Sequence, residues 1–170
     1  MIHPFDSLAR LFDYPGESYV ALCRAAGVDE LADELEKLST SGIQELFIST
    51  FDWNPATALE LGWHLYGEQY ARGEFMVRMR EELRRYEVPE SIELPDHLTH
   101  VLPVVARMDP ESAEKFVSEY VAPPVAKLLA ALEQKKTPFV ILMRAVRDAL
   151  PVKAEIPALK VELPVLAGRD

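Results

Sequence analysis

Stretches with helical periodicity, separated by prolines, are the feature that most limits how this chain can fold. Apolar residues recur at positions i, i+3, i+4 and i+7, a spacing that places them on one face of an α-helix. Two such sets are Leu98, Val101, Leu102 and Val105, and Phe139, Leu142, Met143 and Val146. The chain has 13 prolines against 7 glycines. Most of the prolines lie between the periodic stretches, where proline is typical of a helix boundary.

The helix starts are marked by a capping side chain followed by proline. Asn54-Pro55, Asp109-Pro110 and Thr137-Pro138 each combine a residue suited to the N-cap with a proline at the first helical position. Pro123-Pro124 is expected to separate two helices that would otherwise merge. No two alternating segments are joined by an Asn-Gly or Asp-Gly turn. The sequence therefore predicts an all-α domain over residues 1–150, a single bundle of roughly seven to nine short helices.

The last twenty residues, 151–170, follow a different pattern. Prolines stand at Pro151, Pro157 and Pro164, and apolar residues alternate with charged ones between them. Period-2 apolarity with spaced prolines is typical of extended chain. We therefore expect an extended, proline-rich C-terminal tail. Two interpretations stay open: the tail is disordered, or it docks along the bundle or against a second copy in a homodimer.

Composition and charge narrow the classes of partner. At 170 residues, 49% hydrophobic and 27% charged, the chain can bury a core and is not intrinsically disordered. Its net charge of −10 argues against nucleic acid and against anionic lipid. A basic or apolar protein segment is a partner more compatible with this negative charge. A single cysteine, Cys23, is consistent with a reducing compartment. No basic leader or long apolar run is visible, so the sequence indicates neither a secretory signal nor membrane insertion.

The centre of the sequence holds a predicted helix, residues 55–66, that is apolar nearly all round. Such a helix is expected to be buried. Glu60 and His64 are its polar interruptions, four residues apart and therefore on one face. They can pair or line a cleft. The alternative is that His64 is a core histidine held by Glu60 or by a backbone carbonyl.

A second candidate region contains Asp96, His97 and His100. Asp96 is expected to cap the helix that follows it. An aspartate and two histidines within five residues suggest a metal, but local spacing leaves them short of a tetrahedral cage. No His-Glu-x-x-His, paired cysteines, glycine-rich phosphate loop or Gly-x-Ser-x-Gly elbow occurs. The residues favour a binding module without enzymatic activity. The alternative is a small helical metal-dependent hydrolase using Asp96, His97 and His100.

Several segments, in this order and spacing, resemble the NarJ-type nitrate reductase delta subunits, which are related to the TorD and DmsD chaperones. The similar segments are Leu11-Phe12-Asp13-Tyr14-Pro15, Thr50-Phe51-Asp52-Trp53-Asn54-Pro55, Ala58-Leu59, His64-Leu65-Tyr66-Gly67, Arg72-Gly73 and Glu93-Leu94-Pro95-Asp96-His97-Leu98. The similarity runs from about residue 8 to about residue 150 and does not extend into the tail.

The resemblance implies a cytoplasmic, all-helical assembly chaperone. Such proteins bind the N-terminal segment of an apo molybdoenzyme catalytic subunit and keep it competent for insertion of the bis-molybdopterin guanine dinucleotide cofactor. By the same resemblance the chaperone itself binds no cofactor stably and no metal. The family motif implies a peptide-binding site made of Phe47, Phe51, Asp52, Asn54, His64, Tyr66, Arg72, Asp96 and His97. Asn54 and Asp96 can also be helix caps, and Gly67 and Gly73 can be turn or close-packing positions.

Overall fold

The protein, analysed as a computed structural model that describes residues 2–151, is built from short α-helices. The helices are α1 (Pro4–Ala9), α2 (Tyr19–Ala25), α3 (Asp29–Leu35), α4 (Thr40–Phe51), α5 (Leu61–Tyr66), α6 (Tyr70–Arg85), α7 (Leu98–Arg107), α8 (Pro110–Phe116), α9 (Ala122–Lys135) and α10 (Phe139–Ala149). Short 3₁₀ turns follow α1, at Arg10–Phe12, and α4, at Pro55–Thr57. Residues 2–151 contain no β-strand, so the predicted all-α class is confirmed.

The periodic stretches lie where the sequence places them. Leu98, Leu102 and Val105 are buried along α7, and Phe139 and Val146 are buried along α10. Asp109 caps α8 by accepting a hydrogen bond from the Ser112 N–H at 3.1 Å, with Pro110 in the first turn. All ten helices contribute to a single buried apolar cluster, in which the Cys23 side chain is fully enclosed.

The junction at Pro123-Pro124 differs from the expected break. A π-helical turn, Val117–Val121, joins α8 to α9, and the two prolines lie in the first turn of α9. The first turn of a helix tolerates proline because its N–H groups have no intrahelical acceptor. If α8, the π-helical turn and α9 are counted as one helix, the described residues contain nine helices, within the predicted number.

The predicted helix over residues 55–66 is split in two. After the 3₁₀ turn at Pro55–Thr57 the backbone is extended at Ala58 and Glu60, and α5 begins only at Leu61. Consequently Glu60 and His64 do not share a helical face. The break is stabilised by a backbone pairing with residues near His97, a partner that is distant in sequence.

Helices that are distant in the chain and helices that are adjacent in it both pack against each other in the bundle. Helix α1 packs against α7 and α10, α9 packs against α10 and α5, and α5 packs against α6. No helix within the described range is both long enough and apolar enough to cross a lipid bilayer. The predicted extended tail, 151–170, lies outside the described residues except for Pro151.

Candidate peptide-binding site

A short antiparallel backbone pairing organises the site. Glu60, just before α5, pairs with His97, just before α7. The Leu61 N–H donates to the Asp96 carbonyl at 2.9 Å, and the Leu98 N–H donates to the Leu59 carbonyl at 3.1 Å. His97 has an extended backbone, whereas Asp96 lies in a turn that is closed by the His97 N–H donating to the Leu94 carbonyl at 3.0 Å. Asp96 and His97 therefore enter different surroundings, although they are adjacent in the chain.

The Asp96 side of the pairing is closely packed. The Asp96 side chain is completely buried, and its Oδ2 accepts a hydrogen bond from the Gly62 N–H at 2.9 Å. Arg72 Nη2 lies 3.5 Å from the same oxygen. Burial raises the pKa of Asp96, and the positive charge of Arg72 partly opposes that increase. A Cβ atom on Gly62 would lie 2.5 Å from Asp96 Oδ2, so the close approach requires glycine. These contacts give Asp96 and Arg72 a structural role.

On the His97 side the backbone pairing borders an open pocket with a volume of about 250 Å³. Its lining consists of five aromatic or aliphatic residues, Phe12, Tyr14, Phe47, Phe51 and Leu59, and four polar ones, Asp52, Glu60, Glu93 and His97. The Phe47 and Phe51 rings meet edge to face, with their centroids 5.0 Å apart, and both also contact the ring of Phe139. This packing holds the aromatic wall in place. Tyr14 is 58% exposed, so part of the aromatic lining remains accessible to solvent.

The polar part of the pocket is acidic. Asp52, Glu60 and Glu93 contribute carboxyl groups, and no lysine or arginine is among the lining residues. Burial raises the pKa of each of these three groups. The pKa of Glu93 is raised further by the negative charges of Asp13 and Asp52. The pocket thus favours a positively charged guest with an apolar part.

His97 is held in one orientation by the helix that it caps. Its Nδ1 accepts a hydrogen bond from the Thr99 N–H at 3.2 Å and lies 2.9 Å from the Thr99 hydroxyl. Because Nδ1 accepts, the proton of the neutral ring is assigned to Nε2. Burial, together with the charge of His100, lowers the pKa of His97 to about 4, so the ring is neutral near pH 7. Nε2 lies 3.8 Å from Glu93 Oε1, beyond hydrogen-bond distance.

This capping arrangement replaces the one expected from sequence. Asp96 was the expected cap of α7, but the N-cap residue is His97 and the Asp96 carboxylate binds the Gly62 N–H instead. Both residues can supply an acceptor to a helix N-terminus. Because the Asp96 carboxylate is bound by the Gly62 N–H of α5, His97 is the residue that caps α7.

Glu60, Glu93 and His97 are the residues that come nearest to a metal site. Their ligand atoms lie within 4.8 Å of one another, and no other such group of three occurs within residues 2–151. A metal on Nε2 would require that nitrogen to lose its proton, and the proton would then move to Nδ1. Nδ1 could then no longer accept a hydrogen bond from the Thr99 N–H, so metal binding would remove the N-cap hydrogen bond of α7.

The three residues of the hydrolase alternative do not converge. Asp96 points to Gly62, and both ring nitrogens of His100 are engaged, with Nδ1 2.8 Å from the Leu94 carbonyl and Nε2 2.9 Å from the Ser91 N–H. His97 alone of this trio lines the pocket. The geometry gives no support to a metal-dependent hydrolase built on Asp96, His97 and His100.

His64 and Tyr66 lie on α5, outside the pocket. His64 Nε2 is 2.7 Å from the Ala58 carbonyl, so it is the carbonyl-held histidine of the second interpretation. Burial lowers the pKa of His64. The Tyr66 ring packs at 5.9 Å from the Phe75 ring and is half-buried. Asn54 is also outside the pocket: it is exposed, and its Oδ1 caps the 3₁₀ turn by accepting from the Ala56 N–H at 2.9 Å.

The structure therefore brings together four of the nine candidate residues, Phe47, Phe51, Asp52 and His97, in one pocket. Asn54, His64, Tyr66, Arg72 and Asp96 do not line it. Sequence reasoning did not assign Phe12, Tyr14, Leu59, Glu60 and Glu93 to the site. All of these except Glu60 lie in the family-like segments quoted above, and Glu60 is one of the two polar interruptions expected either to pair or to line a cleft.

The two glycines expected at turn or close-packing positions, Gly67 and Gly73, have different surroundings. Gly67 ends α5 with a φ of 61°, a left-handed conformation that favours glycine. Gly73, within α6, has no neighbouring atom within 4 Å of an added Cβ. The glycine required for close packing is Gly62.

Comparisons with known proteins agree with the fold and the motif. The family model described as "Nitrate reductase delta subunit" matches residues 16–143. A crystal structure of a protein assigned as a redox enzyme maturation protein from Archaeoglobus fulgidus is similar, with a TM-score of 0.65 and 22% sequence identity over 87% of this chain and 93% of that one. At this identity the likeness concerns the fold. No curated protein sequence matches the chain significantly.

Proposed function

The chain belongs to the nitrate reductase delta subunit family, and from this membership we propose that it is a maturation chaperone, not an enzyme, for the catalytic subunit of a molybdoenzyme. It binds the N-terminal segment of the apo subunit in the cytoplasm and holds that subunit competent for insertion of the molybdopterin guanine dinucleotide cofactor. The chaperone itself keeps no cofactor.

The observation that carries the proposal is the pocket beside His97. It combines an aromatic wall with three carboxyl groups, and its lining residues come from four of the family-like segments or lie next to them. Aromatic surfaces supply much of the affinity in peptide recognition, and charge complementarity supplies specificity. An acidic protein is suited to a client segment that is apolar on one side and basic on the other.

Weak, releasable binding is part of this function. A segment that orders only when it binds pays a conformational cost, which keeps affinity moderate over a large contact. The chaperone must leave when the cofactor is in place, so tight binding would block maturation. Acidic and aromatic groups in an open pocket of about 250 Å³ meet that requirement better than a deep, closed cavity.

The direct test is recovery of the client. A tagged copy of the full chain, isolated from its native host and crosslinked, should bring down a molybdoenzyme catalytic subunit, with the crosslinks in the first residues of that subunit. Recovery of the mature enzyme with its cofactor loaded, but never the apo form, would contradict a maturation role. Recovery of no molybdoenzyme subunit would contradict the proposal altogether.

The pocket can be tested by truncating its exposed aromatic side chain with Tyr14→Ala. We expect about tenfold weaker binding of the client's N-terminal peptide by calorimetry, since removing an anchoring contact costs on the order of 1–2 kcal/mol. Val77→Ala, which truncates an exposed side chain of α6, is the matched control and should not change the affinity. Unchanged affinity in a folded Tyr14→Ala variant would contradict a role of this pocket in client binding.

A further inference from the structure

The polar wall of the pocket is not uniformly acidic. Asp52, Glu60 and Glu93 offer acceptors, and His97 offers one donor, its Nε2–H. His97 is only 5% exposed, and Nε2 has no hydrogen bond with any residue in the range 2–151. Because this donor borders the pocket and no acceptor lies within hydrogen-bond distance of it in that range, a guest in the pocket can supply one. The site is therefore complementary to a guest that carries a cation and, close to it, a hydrogen-bond acceptor.

A free peptide N-terminus has this combination. Its α-ammonium group donates three hydrogen bonds, and the oxygen of its first carbonyl group, three bonds from the nitrogen, accepts one. Lysine and arginine side chains carry donors only and would leave the Nε2–H of His97 unpaired. We infer that this pocket captures the free α-amino group of the client polypeptide, with Glu60 and Glu93 receiving the ammonium and His97 donating to the first carbonyl. The inference rests on the proposed chaperone function and specifies how the client's N-terminal segment is recognised.

The size and the apolar lining of the pocket suit one residue. Its volume of about 250 Å³ is below the ~300–1,000 Å³ of ordinary small-molecule sites. Phe47, Phe51 and Leu59 form the apolar lining across which the first side chain would lie. Methionine begins most newly made cytoplasmic chains, and its thioether makes favourable contacts with aromatic rings. The pocket is thus suited to a first residue with a flexible apolar side chain.

Capture of an N-terminus also gives a defined pH dependence. The titratable groups around the pocket are Asp13, Tyr14, Asp52, Glu60, Glu93 and His97, with Arg72, Asp96 and His100 behind them. Burial raises the pKa values of Glu60 and Glu93, so these carboxylates gain protons early as the pH falls. At the other end, an α-amino group loses its charge above about pH 8. Affinity should therefore fall both below and above neutral pH. With an acetylated N-terminus, the fall in affinity at alkaline pH should be absent.

The first experiment uses a small probe, so it does not depend on knowing the client. The amide of Met-Ala, with a free or an acetylated N-terminus, is titrated into the ¹⁵N-labelled full chain and followed by NMR. We expect saturable shifts at Glu60, Glu93 and His97 with the free form, and about tenfold weaker binding with the acetylated form, the size expected when a charged hydrogen bond is lost. Nα-acetyl-lysine amide should bind no better than the acetylated probe.

Substitutions then assign the contacts. Glu60→Gln and Glu93→Gln keep side-chain size and should each weaken the free probe several-fold without changing the acetylated one. Glu45→Gln removes an exposed carboxylate outside the pocket and is the matched control. Equal binding of free and acetylated probes would overturn the inference, and so would equal binding of Nα-acetyl-lysine amide, which would indicate a general cation pocket.

The same comparison with the client's own peptide separates this inference from the proposed function. If the peptide binds equally well with a free or an acetylated N-terminus, the chaperone proposal stands and N-terminal capture is wrong. If the Met-Ala amide binds through Glu60 and Glu93 but no molybdoenzyme peptide binds, the pocket is an N-terminus site and the proposed client is wrong.

Discussion

Asp96 and His97 are consecutive residues, but they belong to two regions with opposite properties. The region around Asp96 is closed: the carboxylate is fully buried, it binds the Gly62 N–H, and Arg72 covers it. The region around His97 is open, and its acidic and aromatic side chains border a pocket. In the first region polar groups stabilise the contact of α5 with α7. In the second, carboxyl groups and the Nε2 of His97 line a cavity that a ligand can enter, which is typical of a binding site.

From this difference we predict which motif residues contact the proposed client and which stabilise the fold. The backbone pairing of Glu60 with His97 divides the motif, so that neighbouring residues have different tasks. Substitutions on the Asp96 side should therefore change stability more than affinity in the folded protein. Substitutions on the His97 side should do the reverse. Three experiments test this division between structural and client-binding residues.

The largest effect is expected at Gly62. In Gly62→Ala the new Cβ would lie 2.5 Å from Asp96 Oδ2 and 3.1 Å from Phe75 Cδ2. Because the carboxylate is enclosed, it can move only by giving up its hydrogen bond, and we expect a loss of about 2 kcal/mol in the free energy of unfolding. Urea denaturation followed by circular dichroism measures this loss.

Gly73→Ala is the matched control for this measurement. Gly73 lies within α6, and an added Cβ there meets nothing within 4 Å. Alanine should stabilise the helix by up to about 1 kcal/mol. If the two alanine variants were equally stable, the region around Asp96 would not be closely packed and the division would fail.

The sequence predicts most of the helices because their signal is local. The apolar stripes of α7 and α10 and the Asp109 cap of α8 depend on residues within a few positions of one another. The break after Thr57 could not be predicted in this way. There the backbone of Glu60 gives up helix geometry to pair with His97, and neither composition nor periodicity indicates that partner.

The site was predictable in part for the same reason. The family-like segments contain Phe51, Asp52 and His97, and Phe47 lies three residues before Thr50; the structure brings all four to one pocket. A motif does not tell which side of the backbone a residue faces. Asp96 therefore looked equivalent to His97 in the sequence, and the two are separated only by the three-dimensional contact with Gly62.

A smaller effect is expected at His97, where stability and binding can be separated. His97→Ala removes the acceptor for the Thr99 N–H and should cost about 1 kcal/mol of stability, the usual value of an N-cap. His97→Asn restores a strong N-cap but has no donor at the position of Nε2. We expect the asparagine variant to recover the stability seen by denaturation, yet to bind the free Met-Ala amide as weakly as the alanine variant does. If asparagine restored both properties, His97 would only be a cap.

The smallest effect is expected at Asn54, which the family motif places in the site and the structure places outside the pocket. Its Oδ1 caps a 3₁₀ turn of three residues, and its side chain is exposed. Asn54→Ala should therefore cost about 0.5 kcal/mol, the lower end for a cap, and Asn54→Asp should restore it. Neither variant should change the affinity for the client's N-terminal peptide. A clear loss of affinity in a stable Asn54→Ala variant would extend the binding surface beyond the pocket along the 3₁₀ turn. The backbone pairing of Glu60 with His97 would then no longer mark the boundary between structural and client-binding residues.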